Sequence, residues 1–164
     1  MVPYKSSGIA IFLLVAIPVM ATSLYAQDDV DAHRHCSHCG MDRKAYGFSR
    51  MLLHFGDGTV IGVCSIHCAT AKLGADTLRK VKRMEVADRD TRALIDAEKA
   101  FWVIGGDKPG VMAATATWAF AEEKRAGNFV KKHGGRAASF KEAFDAGQAV
   151  GFALNALQIK TAER

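Results

Sequence analysis

The sequence lacks an apolar run long enough to span a bilayer, although it has an apolar segment near its start. Gly8 to Ala21 form that segment of 14 residues, whereas a membrane-spanning helix needs about 20. Lys5 precedes it, and a small residue, Ala26, follows it. Basic, apolar and then small is the layout of a secretory signal peptide. We therefore predict that residues 1–26 are cleaved on export to the periplasm; the alternative is an uncleaved anchor through residues 8–26.

The sequence also has no cysteine beside the expected cleavage point. In addition, it has no stripe of side chains that carry charge of a single sign. Without that cysteine, a lipid anchor on the new N-terminus has no attachment point. The formal net charge is +5, and residues 1–26 contain one lysine and no acid. The remaining basic residues, such as Lys80 and Lys131, are scattered among acids, which is typical of a solvated surface. This pattern does not predict a nucleic-acid partner.

Patterns typical of enzymes are missing as well. Gly105 and Gly106 lack the flanking residues of a phosphate-binding loop. The acids lie mostly beside Lys or Arg rather than as a catalytic pair. Thiol oxidoreductases do use C-x2-C, but there the motif usually opens a helix after a strand. Here a polar stretch precedes the motif and Gly40 follows it, so we predict that the protein is not an enzyme.

Residue periodicity predicts one α+β domain over residues 36–160, after a polar, mobile lead at 27–35. Two runs rich in strand formers, 48–55 and 59–63, flank a Gly-Asp-Gly turn and predict a β-hairpin. Ser65 is the expected N-cap of a following helix. A later capping box predicts another helix from residue 139. Further elements are expected at 81–87, 101–104, 118–120 and 122–133.

The strongest chemical signal is a pair of short cysteine spacings on either side of the hairpin. Cys36 and Cys39 form C-x2-C, and Cys64 and Cys68 form C-x3-C. A hairpin returns the chain to its start and can bring the two pairs together. Two thiols from one tight loop suit a metal ion, although in an oxidising compartment disulfides are the alternative. We favour the metal.

Two neighbouring side chains can add to this site. Gly40 permits a tight turn, after which Met41 can reach the ion bound by Cys39. Thiolate and thioether together select copper(I) over zinc(II). His67 lies inside the second cysteine pair and is a further candidate ligand. The alternative is a structural zinc(II) site with four cysteine ligands in an interaction module. A methionine ligand distinguishes the two readings, because zinc has no use for a thioether.

Several segments, in this order, resemble the NosL family of copper(I)-binding accessory proteins of nitrous oxide reductase. They are CSHCGM at 36–41, CSIHC at 64–68, FWVIGGDKPGVM at 101–112 and FVKKHGGRAASFKEA at 129–143. The resemblance covers residues 36–147. This chain departs from typical members in two respects, since it has no lipid-attachment cysteine and it has an extra C-x3-C pair.

The resemblance implies a small monomeric chaperone with a hairpin–helix metal-binding half followed by a strand–helix half. Such a protein would hold copper(I) and deliver it to a copper enzyme such as nitrous oxide reductase, with help from a membrane transporter complex. It implies ligands at Cys36, Cys39 and Met41, with Met112 contributed by the VIGGDKPGVM loop. We expect Met112 to close over the bound ion.

Overall fold

The computed structural model describes residues 28–73 and 80–148. The signal peptide expected at 1–26 and the chain beyond residue 148 therefore lie outside the described residues. Among the helices within the two described ranges, none combines the length and the apolar character that a bilayer span requires.

Two antiparallel sheets and flanking helices make up the described fold, which confirms the predicted α+β class. The larger sheet has the order β2-β1-β3-β4 and the smaller one the order β6-β5-β7. The strands are β1 (Met51–Phe55), β2 (Val60–Val63), β3 (Val81–Ala87), β4 (Leu94–Asp96), β5 (Phe101–Ile104), β6 (Thr117–Phe120) and β7 (Arg136–Ala138). The helices are α1 (Asp28–Ala32), α2 (Ile66–Lys72), α3 (Glu123–His133) and α4, which covers residues 140–148.

The predicted hairpin is confirmed as β1 and β2. Met51 pairs with Val63 and Leu53 pairs with Ile61 in an antiparallel register. Met51, Leu53 and Val63 are fully buried, because side chains on alternate strand positions share one face. The register therefore sets the end of β2 beside the start of β1.

The two helix starts predicted from capping residues are also confirmed. The Ser65 side chain accepts a hydrogen bond from the amide of Cys68, which caps α2. At α4, the Glu142 carboxylate accepts from the amide of Ser139 at 2.8 Å, and the Ser139 hydroxyl accepts from the amide of Glu142. Each cap satisfies backbone donors that a helix start leaves unpaired.

Two short strands were not expected from the sequence. β4 pairs with β3, and β7 pairs with β5. Each is three residues long and without a buried residue, so neither carries an alternating apolar pattern. They form because neighbouring strands already present a ladder of hydrogen-bonding groups, a tertiary effect that local propensity cannot show.

The core has two parts that meet at β5. Trp102 packs in a cluster that joins both sheets with α2 and α4, and this cluster includes three of the four cysteines. Val103, the next residue, faces a second cluster formed with Trp118, Phe120 and Phe129 of α3. The four cysteines therefore belong to the main core of the domain or pack against it.

Part of the lead at 27–35, which the sequence predicts to be polar and mobile, forms a short helix. Residues 28–32 form α1, and Val30 is buried. The physical reason is Asp29, whose carboxylate pairs with Arg43 at 2.8 Å and with Arg50 at 2.7 Å. Both guanidinium groups are almost completely buried, with side-chain exposures of 0% and 1%. A buried charge needs a partner, so these arginines tie α1 to the domain.

Replacing Asp29 with Ala should lower the free energy of unfolding by about 3–5 kcal/mol, because it leaves two buried cations without their carboxylate. Asp31→Ala, at an exposed position of the same helix, should change it by less than about 0.5 kcal/mol. Urea unfolding of the reduced protein at neutral pH measures both. Equal values for the two variants would show that the buried ion pairs do not hold α1.

The same carboxylate should make stability fall in acid. Burial alone would raise the pKa of Asp29, but hydrogen bonds and charge from Arg50 and Arg43 lower it overall. Since the folded pKa is the lower one, the stabilisation is present at neutral pH and is lost below about pH 4.

Candidate metal centre

The first cysteine pair lies in a closed loop at residues 36–41. The amide of Cys36 donates to the carbonyl of Met41 at 2.8 Å, and the amide of Gly40 donates to the carbonyl of Cys36 at 2.8 Å. Gly40 has a φ of 76°, a conformation that residues with a Cβ adopt only at a cost. Below the loop, His35 and Asp42 form a β-bridge. The chain is thereby held so that Cys36 and Cys39 lie close together.

The second pair is placed by the junction of β2 with α2. Cys64 follows the last residue of β2, and its carbonyl accepts a hydrogen bond from the Ser49 hydroxyl at 2.8 Å. Cys68 lies in the first turn of α2, as predicted. The amide of Ser37 donates to the carbonyl of Gly62 at 3.0 Å, which fixes the 36–41 loop against β2.

The four thiols meet in one cluster. All four Sγ atoms lie within 4.8 Å of one another. Cys39 and Cys64 are 3.5 Å apart, Cys64 and Cys68 are 3.5 Å apart, and Cys39 and Cys68 are 3.7 Å apart. A metal with four sulfur ligands at about 2.3 Å in a tetrahedron separates them by about 3.8 Å. The cluster thus has the dimensions of a thiolate metal site.

The cysteines differ in their access to solvent. Cys36 is 3% exposed, and Cys64 and Cys68 are 0% exposed. Cys39 is only partly buried. An incoming ligand therefore reaches the cluster at Cys39.

Backbone amides favour the thiolate of Cys36. Burial alone would raise its pKa, but hydrogen bonds from the amides of Cys39, His38 and Cys64 outweigh this effect and lower the pKa to about 7. Burial and the neighbouring thiols raise the pKa of Cys39 to about 11. The Cys68 thiol and burial raise the pKa of Cys64. Thiols this close cannot all ionise without a cation between them, so a bound metal ion would release protons.

The three non-cysteine candidates lie in different settings. Met41 is partly buried and packs against the same core cluster as Cys39. His67 is not among the grouped ligand atoms, and its Nδ1 lies 2.9 Å from the carbonyl oxygen of Gly147 in α4. Met112 is 46% exposed and has a φ of 57°. An exposed methionine fills no gap in the core, so packing does not account for this side chain.

Sequence reasoning missed two residues that support the cluster. The Arg43 guanidinium lies inside the domain and donates to the carbonyl of Val63 at 3.1 Å, immediately before Cys64. A Cβ on Gly62 would lie 2.8 Å from the Arg43 Cζ. Gly62 therefore lets the buried arginine approach the backbone of β2. A glycine within an otherwise β-branched strand was the one available signal of such a close approach.

Two comparisons with known proteins return matches. The model of the NosL family matches residues 27–146. The fold is similar to that in the crystal structure of the copper chaperone NosL from Shewanella denitrificans, with a TM-score of 0.57 and 22% sequence identity. The match covers 69% of this chain and 91% of that one. No curated protein sequence matches significantly.

Replacing Cys36, Cys39, Cys64 or Cys68 singly with Ser should weaken binding of a thiophilic ion by more than about tenfold, because each removes one ligand of a shared site. His133→Ala is the control, since His133 lies on α3 and its Nδ1 contacts Asp107 rather than a thiol. Titration of the reduced protein with Cu(I) measures the affinities. Losses confined to one pair of cysteines would show that the pairs do not share an ion.

Proposed function

Because this chain belongs to the NosL family, we propose that it is a periplasmic copper(I) metallochaperone that delivers its ion to a copper-accepting protein such as nitrous oxide reductase. The observation that carries the proposal is the four-thiol cluster, whose Sγ atoms lie within 4.8 Å of one another. The structurally similar protein from Shewanella denitrificans is itself a copper chaperone. The proposal describes a carrier rather than an enzyme, and its cargo is the metal ion.

The chemistry of the ligands supports copper(I) as the cargo. Thiolates are soft ligands, and a thioether is softer than the nitrogen and oxygen ligands that are common at sites for divalent metals. Met41 follows Cys39 by two residues and packs against the same hydrophobic core cluster as Cys39, which supports the proposal that its thioether joins the thiolates around the ion. The three buried cysteines also keep water away from the ion.

Transfer to an acceptor would begin at Cys39. A carrier must exchange its ligands one at a time for those of its partner, and an incoming sulfur can approach only an accessible side of the ion. Cys39 is the partly exposed member of the cluster. We propose that its bond to copper is replaced first, while Cys36, Cys64 and Cys68 still hold the ion.

Met112 is proposed as a ligand that closes over the ion when the site is loaded. Its side chain is exposed, and its left-handed backbone, at a φ of 57°, is unusual for a residue other than glycine. Such strained positions often occur at functional sites. A thioether on a separate loop can detach more readily than a thiolate, and this would open the site for transfer.

A second candidate is supported by the sulfur separations. The Sγ–Sγ distances of 3.5–3.7 Å among Cys39, Cys64 and Cys68 are close to the sulfur–sulfur separation in a tetrahedral zinc site with four cysteine ligands. In that case the metal would stabilise the fold, and neither Met41 nor Met112 would contribute.

Export to the periplasm is proposed from the residues that precede the domain. Basic, apolar and small residues follow one another over residues 1–26, as in a cleaved signal peptide. Mass spectrometry of the exported protein should find Gln27 as its first residue. A full-length chain in the membrane fraction would indicate an anchor instead.

Competition with a Cu(I)-specific chelator tests the proposal. We expect one Cu(I) per chain, bound more tightly than Zn(II), because soft ligands prefer copper(I). Met112→Leu should weaken Cu(I) binding while leaving the thermal stability of the metal-free protein nearly unchanged, since the swap conserves volume. Met84→Leu, within β3, is the matched control and should bind Cu(I) like the wild type.

Two results would contradict these expectations separately. Stoichiometric Zn(II) that copper cannot displace would favour the structural zinc site over the carrier. Wild-type Cu(I) affinity in Met112→Leu would remove Met112 from the ligand set and leave the cysteine cluster intact.

A further inference from the structure

A second concave site lies where the turn at 88–92 meets β6 and the 105–114 loop. We call it the basic cleft. It has a volume of about 270 Å³ and is lined by Phe48, Arg89, Arg92, Lys108, Pro109 and Trp118. Three of these residues are cations, and none is acidic. The cleft contains no cysteine and is distinct from the thiol cluster.

Arg92 has the features of a residue held for binding. Its φ is 66°, a backbone conformation with a cost for a residue that has a Cβ. Its amide donates to the carbonyl of Asp88 at 2.9 Å, and its carbonyl accepts from Arg50 at 2.9 Å. The guanidinium lies 5.3 Å from the centre of the Phe48 ring. Among residues 28–73 and 80–148, no carboxylate lies within ion-pair distance of it.

Arg89 is held between aromatic rings. Its Cζ lies 4.6 Å from the centre of the Phe129 ring and 5.4 Å from that of Trp118. One guanidinium nitrogen donates to Asp90 at 2.8 Å. The Nε of Arg89 is buried and has no hydrogen-bond acceptor in the described part of the chain. Burying such a donor without an acceptor is unfavourable, and the two rings on either side hold the guanidinium in this position.

Asp88 holds the turn that carries both arginines. It is fully buried, and one carboxylate oxygen accepts from the amides of Asp90 and Thr91 at 3.0 and 2.8 Å. The other accepts from the amide of Ala121 at 2.7 Å. The turn is therefore fixed to the end of β6. Arginines held in place before binding lose little conformational entropy when they bind.

The basic surface continues past Arg89 into a second groove. That groove adds Arg125 and Lys132 from α3, and Asp90 is its one acidic lining residue. The two grooves together are lined by five Lys or Arg side chains. Three of them already pair with carboxylates: Arg89 with Asp90, Lys108 with Asp107, and Arg125 with Asp88 and Glu122. In the part of the chain that the structure describes, no carboxylate pairs with Arg92 or Lys132, so each groove keeps one uncompensated cation. A surface of this length and charge suits an extended acidic chain better than a small anion.

We infer that the basic cleft binds an acidic segment of the protein that accepts the ion, in which Asp or Glu alternates with aromatic residues. The inference rests on the proposed carrier function for the role of that partner. Carboxylates fit the guanidinium fork of arginine in a bidentate arrangement, and an aromatic ring of the partner would pack against the partly exposed Phe48. In that role the cleft would hold the acceptor during transfer of the ion.

Nuclear magnetic resonance of the reduced, metal-free protein tests this inference. The probe is an acetylated and amidated peptide, Glu-Phe-Glu-Phe, and its matched control has Gln in place of Glu. The acidic peptide should shift the Trp118 indole N–H and the Arg92 Nε–H signals saturably, with a dissociation constant in the range of about 1 mM or tighter. Arg92→Gln should weaken this binding by about tenfold.

Lys99→Gln is the matched control variant, because it removes the same charge at an 84% exposed side chain that does not line either groove. It should bind the peptide like the wild type. No saturable shift, equal shifts with the Gln peptide, or unchanged binding in Arg92→Gln would overturn the inference. Tighter binding of inorganic phosphate at the same signals would also overturn it, since the cleft would then be a simple oxyanion site.

Copper is absent from this experiment, so its outcome is independent of the metal-binding test. A wild-type protein that binds copper but not the acidic peptide would retain the carrier function and lose the docking site. A protein that binds the peptide but holds irreplaceable zinc would retain the cleft and lose the carrier function.

Discussion

The buried guanidinium of Arg43 is the interaction on which the N-terminal half of the structure depends. It donates to the carbonyls of His33 and Val63 and to the carboxylate of Asp29, so a single side chain joins α1, the approach to the 36–41 loop and the end of β2. Each of these acceptors lies next to a segment that places a cysteine. Because a buried cation is costly unless every donor is satisfied, the alternatives to this arrangement are disfavoured. The fold itself thereby brings the four thiols together.

Close packing of four thiols has an electrostatic cost that a bound metal ion would offset. Four thiols within a few ångströms of one another oppose ionisation, as the raised pKa values of Cys39 and Cys64 show. Amides that point at the Cys36 sulfur act in the opposite direction. A site of this kind combines one sulfur that is prepared to be a thiolate with others that become thiolates only when a cation enters. Binding is then coupled to proton release, and the affinity rises with pH.

Much of the fold could be predicted from the sequence, because local signals were strong where they mattered. The Gly-Asp-Gly turn indicated the hairpin, Ser65 and the Ser139–Glu142 pair indicated two helix starts, and the cysteine spacings indicated the cluster. What escaped prediction depends on tertiary contacts. β4 and β7 are too short and too exposed for any pattern, and their pairing is set by their neighbours. The position of α1 follows from the ion pairs of Asp29. A single acid in a run of polar residues does not indicate that it pairs with two buried arginines. The basic cleft likewise brings together side chains from β6, the 88–92 turn and the segment before β1, which are far apart in the sequence.

The contact between Asp29 and the two arginines also changes where the metal-binding unit starts. Judged by its ligands, the unit begins at Cys36, and a shortened protein starting there would keep all four thiols. It would nevertheless lose the carboxylate that neutralises Arg43 and Arg50, together with the carbonyl of His33. The smallest piece of this chain that can fold around its thiols therefore includes α1. For the same reason, a fusion partner joined directly to residue 36 would replace part of the interior of the domain, whereas one joined ahead of α1 would leave that interior unchanged.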